Sequence, residues 1–161
     1  MSAQAVALPE LVGRVLALNR GLAEKHGVRL AAAGLDAAEV RADPDRLLQV
    51  LSNLISNAAK HSPPGGRVEV AIERRGAMFR VSVSDSGRGV PERFRDQLFG
   101  RFEQSSDGRA KGGSGLGLAI CKEIVERSGG AIGYDPNPAG GSVFYFDLPA
   151  AQATASAAQR G

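Results

Sequence analysis

Residues 43–61 impose the tightest constraint on what this chain can fold into. Asp43 ahead of Pro44 marks a helix start, because an aspartate oxygen can accept an orphan first-turn amide and proline loses nothing at the first helical position. From there Leu47, Val50, Leu51, Leu54, Ile55 and Ala58 recur at helical spacing and define a face that packs into a core. At roughly 100° per residue, Asn53, Asn57 and Lys60 fall in a stripe about 60° wide that flanks the apolar face instead of opposing it. Carboxamide oxygens can ligate a hard cation and an ammonium can meet a phosphate, so the stripe suits a pocket wall. The plain alternative is a solvated helix face.

Upstream, Pro9 and Glu10 open an amphipathic helix of about four turns, with Leu11, Val12, Val15, Leu16, Leu18 and Leu22 on its apolar face. Gly27 can take the left-handed conformation that ends it. Residues 28–35 are expected to form a short strand punctuated by Gly34, and residues 40–42 another. Downstream, Ser62, Pro63, Pro64, Gly65 and Gly66 must turn the chain. Val68, Val70 and Ile72 then alternate with Arg67, Glu69 and Glu73, Gly76 turns, and Phe79, Val81 and Val83 alternate with Arg80, Ser82 and Ser84. Two antiparallel strands with one buried face result. Extending the alternation by one step aims Asp85 at the buried face. An unpaired buried carboxylate is costly, so either Asp85 caps a turn at the strand's end or a donor waits for it inside.

Gly87 and Gly89 follow, and permit a tight turn or close approach to a ligand. Residues 91–102 predict a short helix carrying Phe94, Leu98, Phe99 and Phe102, and residues 103–113 a polar, mobile loop. The glycine-rich residues 112–118 lead into a helix with Leu116, Ala119, Ile120, Ile124 and Val125, stopped at Gly129 and Gly130. Free amides and a positive dipole end converge at such a junction, which makes it an anion site. It is not a P-loop, for no Gly-Lys-Ser/Thr is present, and it is a poor dinucleotide fingerprint because no strand precedes it. Glycines at a loop–helix junction can also be purely structural. Residues 131–134 and 142–148 predict two more strands, with Phe144, Phe146 and Leu148 on one face and Gly140 and Gly141 turning between them.

The 161 residues suffice for one domain, and the net charge of +3 with dispersed arginines and no tryptophan argues against nucleic-acid binding. The single cysteine, Cys121, lies in an apolar helical pattern and is expected to be a buried thiol. No stretch is long and apolar enough to span a bilayer, and the start lacks the order of a signal peptide.

In this order and spacing the elements resemble one family over nearly the whole chain to Pro149: the ATP-binding catalytic domain of sensor histidine kinases, in the GHKL superfamily. Residues 47–62 are similar to its asparagine box, residues 85–89 to its first glycine box, residues 99–102 to its phenylalanine box and residues 113–118 to its second glycine box. Gly140, Gly141 and Ser142 match its remaining glycine element, and residues 98–104 with Ser105, Ser106 and Arg109 look most like the hybrid-type kinases. His61 stands where the family commonly has an aromatic residue, and is read as a packing substitute.

The resemblance implies an α/β sandwich, the Bergerat ATP-binding fold: a mixed, mainly antiparallel sheet packed on one face by about three helices. Residues 1–149 would form this domain and residues 150–161 a low-complexity, disordered tail. Asp85 would accept a hydrogen bond from the exocyclic amine of adenine, with Gly87 and Gly89 letting the backbone approach. Asn57 would bind Mg2+, with Asn53 close to the phosphates or metal and Lys60 on the phosphates. Gly113, Ser114, Gly115, Leu116, Gly117 and Leu118 would hold the polyphosphate, Phe102 would join the nucleotide-binding set, and residues 103–112 would be a lid. Arg101, Arg109 and Lys111 are its candidate cations.

The implied reaction passes the γ-phosphoryl group of ATP to a histidine on a separate dimerisation and phosphoacceptor domain, and thence to a response regulator receiver domain. It implies a cytoplasmic location, whether or not the parent protein is membrane-anchored. His26 precedes Gly27 and His61 precedes Ser62, so neither has the acidic residue that follows the family's phosphoacceptor. The chain is therefore expected to bind ATP without phosphorylating itself. The alternatives are a nucleotide-binding regulatory module without transferase activity, and a GHKL serine kinase.

Overall fold

The computed structural model describes residues 3–34, 37–99 and 115–151, with the backbone alone for residues 115–117. The long helix over Pro44–His61 (α3) starts where expected, with Asp43 Oδ1 accepting the amides of Asp45 at 3.0 Å and Arg46 at 3.3 Å. Leu47, Val50, Leu51, Leu54, Ile55 and Ala58 are buried along one side of it.

That side lies on a sheet whose centre is the predicted hairpin, Arg67–Arg75 (β4) and Met78–Ser84 (β5), turned by Gly76 at φ 63. Ile72 pairs with Val81 and Val70 with Val83 across the hairpin. Ser142–Pro149 (β7) adds antiparallel to β5, with Val81 opposite Phe146 and Phe79 opposite Leu148. Ala131–Pro136 (β6) pairs antiparallel to β7 at one edge, and Arg29–Gly34 (β2) parallel to β4 at the other. The order β2-β4-β5-β7-β6 is the expected mixed, mainly antiparallel sheet. Helices Leu8–Leu18 (α1), α3 and Gly115–Arg127 (α5) pack on its apolar face. The opposite face is polar, and there Arg80 makes a bidentate pair with Asp147 at 2.7 and 2.9 Å while lying 3.8 Å from the Tyr145 ring centroid.

Three local features differ from expectation. The first helix is broken: α1 stops at Leu18 and Arg20–His26 (α2) continues, because Asn19 turns its carboxamide back onto the Val15 carbonyl at 2.9 Å and competes with the helix ladder. Gln4–Ala7 (β1) pairs antiparallel with Glu39–Ala42 (β3) in a separate two-stranded ribbon that small side chains had concealed. Of the helix expected over residues 91–102, the described part to residue 99 is helical only over Glu92–Arg95 (α4), which buries no side chain that would extend it; residues 100–102 lie outside the described residues. Just past the boundary expected at residue 149, Ala150 is buried and its amide donates to the Ala77 carbonyl at 2.9 Å. Residues 152–161 lie outside the described residues, as do 101–114. Among the described residues no helix is long and apolar enough to cross a membrane.

Candidate functional site

Asp85 lies one residue past β5, still on the inward course of the strand, and is only 5% exposed. Both readings of an inward carboxylate meet in it. Its Oδ1 caps the turn by accepting the Gly87 amide at 2.8 Å, and it also accepts the Ser142 amide at 3.2 Å. Oδ2 makes no bond among the described residues, yet no side-chain oxygen sealed from solvent lacks a partner there, so Oδ2 opens onto accessible space. One carboxylate oxygen is fixed and the other is available.

The surroundings are built for close approach. A Cβ on Gly87 would collide with the His61 carbonyl, and one on Gly141, at φ 102, with the Asp85 carbonyl. Gly89, at φ 80, leaves a Cβ only 3.0 Å from the Gly141 carbonyl. Asn137 steadies the β6–β7 connection, donating through Nδ2 to the Asp85 carbonyl at 3.3 Å and through its own amide to the Gly141 carbonyl at 3.1 Å. Buried Ser62 accepts the Ser86 amide at 3.4 Å.

The contact between Gly87 and His61 sets the C-terminal end of α3 beside the Asp85 turn. Asn57 is half-buried and Lys60 exposed on that part of the helix, and neither makes a side-chain bond among the described residues. Asn53, nearly two turns earlier, points to α5: its Nδ2 meets Cys121 Sγ at 3.6 Å. Cys121 is fully buried as expected, and burial raises its thiol above its ordinary range, partly offset by the Asn53 hydrogen bond. No group of three or more His, Cys, Asp or Glu among the described residues could hold a metal.

Of the residues singled out from sequence, Gly87 and Gly89 follow Asp85 directly, and Asn57 and Lys60 lie on the last turns of α3, whose end meets Gly87. Gly115, Leu116, Gly117 and Leu118 form the first turn of α5, with Leu118 buried in the core. Phe102, Gly113, Ser114, Arg101, Arg109, Lys111 and the expected lid fall outside the described residues. Ser142, Ser62, Asn137 and Tyr134 were not legible as site residues, since each works through a partner distant in sequence; the pair Gly141 and Ser142 was the available signal.

Residues 42–152 match the family described as histidine kinase-, DNA gyrase B- and HSP90-like ATPase. The sensor protein DivL of Caulobacter vibrioides is 43% identical over 117 residues, 73% of this chain but 15% of that protein. The chain thus spans a small part of the curated relatives it matches. Among solved structures, the catalytic domain of histidine kinase ThkA has a TM-score of 0.82 at 30% identity, covering 92% of this chain and 98% of that one. ThkA bound to the response regulator TrrA superposes at 0.77 and 30% identity, covering 91% of this chain and 41% of that one. Full-length ShkA in complex with AMPPNP does so at 0.81 and 31%, covering 93% and 31%. The chain belongs to the histidine kinase-, DNA gyrase B- and HSP90-like ATPases, and within them it is a catalytic ATP-binding domain of the histidine kinase type.

Proposed function

We propose that the chain binds Mg-ATP with the adenine amine on Asp85, and donates the γ-phosphoryl group to a histidine on a separate dimerisation and phosphoacceptor domain. The observation that carries this reading is the buried Asp85 carboxylate, with Oδ1 held by two backbone amides and Oδ2 open. A fixed, half-desolvated acceptor fits an exocyclic amine. The glycines around it keep the turn in place, since a Cβ at Gly87 or Gly141 would collide with the His61 or Asp85 carbonyl and displace the carboxylate.

Asn57 and Lys60 suit the polyphosphate side. Mg2+ takes one or two protein oxygens plus substrate phosphates, which agrees with a carboxamide on a helix that no carboxylate cluster accompanies among the described residues. The ion would neutralise charge on the phosphates. Lys60 would add a mobile cation, and the backbone amides of the first turn of α5 would meet anionic oxygens. Catalysis of this kind is positioning and electrostatics, with little covalent work for the protein. The phosphoryl group would pass onward to a receiver domain, and a cytoplasmic location would supply the ATP.

Calorimetric titration with AMPPNP and Mg2+ tests the reading on the wild type and on Asp85→Asn. Asparagine keeps an oxygen for the Gly87 and Ser142 amides but turns a donor toward the adenine amine. Binding is expected in the wild type and a loss of at least tenfold in the variant. Equal binding by both would remove adenine from Asp85.

A further inference from the structure

Beyond Asp85 the chain leaves the sheet, and at Val90 both backbone polar groups are held by side chains from elsewhere. The Val90 amide donates to the Tyr134 hydroxyl at 3.1 Å, and its carbonyl accepts from Arg95 Nε at 3.1 Å. Tyr134 comes from β6 and Arg95 from α4, and the Arg95 guanidinium lies 5.5 Å from the Tyr134 ring centroid. The ring is anchored in turn: it tilts against Phe144 at 5.1 Å, and Phe144 meets Phe99 edge-on at 6.3 Å. A Cβ on Gly89 would stand 3.5 Å from the same hydroxyl. The turn that carries Gly87 and Gly89 is thus tied at one end by Asp85 and at the other by Tyr134.

We infer that Tyr134 is a positioning residue for the nucleotide site, its hydroxyl and Arg95 together holding residues 87–90 at the separation that lets adenine reach Asp85. This rests on the adenine reading of Asp85 and deepens it. Residues 86–91 have no strand partner to hold them, so without the hydroxyl the segment samples other positions. Apparent affinity then falls in proportion to the competent fraction. Tyr134→Phe preserves the ring and its packing on Phe144 while leaving the Val90 amide without its acceptor.

The test combines Tyr134→Phe, Arg95→Gln and the double variant, titrated with AMPPNP and with ADP in the presence of Mg2+, with residue-resolved amide hydrogen exchange by NMR. Tyr134→Phe is expected to raise Kd about fivefold, the scale of one neutral hydrogen bond, and by the same factor for both nucleotides because the clamp lies on the adenine side. The Val90 amide should exchange faster in it, while the Val81 and Phe146 amides in the sheet keep their rates. The double variant should lose less than the product of the two single losses, since both act through one segment. Unchanged Val90 exchange in Tyr134→Phe overturns the inference, and so does faster exchange across the whole sheet, which would make the residue merely structural. If the wild type bound neither nucleotide, the adenine reading would fall, and Val90 exchange would still decide whether Tyr134 holds the segment.

Discussion

At Asp85 the alternation of β5 and the needs of a ligand coincide in a single side chain. Oδ1 accepts two amides, so the carboxylate cannot rotate to suit a different partner without freeing buried donors. Oδ2 therefore presents an acceptor in a fixed direction. Adenine offers a donor to it and guanine a carbonyl oxygen, which would leave two acceptors facing each other. Competition of GTP against bound AMPPNP is expected to show at least tenfold weaker binding of GTP, on the scale of about 1 to 3 kcal/mol for an unsatisfied buried group. Comparable affinities would mean that the base lies elsewhere. The inward aim of Asp85 was legible because β5 keeps a strict period of two; the bond to Ser142 was not, since the partner lies 57 positions away in the chain.

Among the elements, α3 and the hairpin were the most legible, because each carries its own start, stop and apolar period: Asp43 with Pro44 for the helix, Gly76 for the turn. β1 was not, for its residues 4–7 include three small or polar side chains beside Val6 and take their conformation from β3. The break at Asn19 was hidden for a related reason, as its carboxamide also reaches Ser52 on α3 at 3.3 Å, a tertiary contact that no local pattern encodes. The β6–β7 connection offers a test of how an element shapes the site. Gly140 and Gly141 have nearly the same backbone, φ 103 and 102, but a Cβ on Gly140 meets nothing within 4 Å whereas one on Gly141 strikes the Asp85 carbonyl. Gly140→Ala should cost only the left-handed conformation, about 1 kcal/mol. Gly141→Ala adds displacement of Asp85 and should cost about 3 kcal/mol or more in urea unfolding, with AMPPNP affinity reduced as well. Equal losses in the two variants would show that the approach to Asp85 is not what glycine provides there.

For the molecule as a whole, the decisive question is where a nucleophile could stand. His26 is half-buried in the last turn of α2, and His61 is exposed at the end of α3 with its carbonyl against Gly87, on the side where adenine is proposed to lie. In-line transfer needs a nucleophile about 3 to 3.5 Å from the phosphorus, and neither histidine is followed by the acidic residue expected of a phosphoacceptor: Gly27 follows His26 and Ser62 follows His61. Incubation with γ-labelled ATP and Mg2+ should accordingly leave the isolated chain unlabelled. With a helical phosphoacceptor domain supplied in trans, label should appear on the acceptor as acid-labile, base-stable phosphate, the behaviour of phosphohistidine, and Asp85→Asn should slow its appearance at least tenfold at limiting ATP. Acid-stable label on a serine of the acceptor would make the chain a serine kinase built on the same nucleotide site. Label on His26 or His61 of the isolated chain would mean that the chain carries its own phosphoacceptor and does not need one in trans.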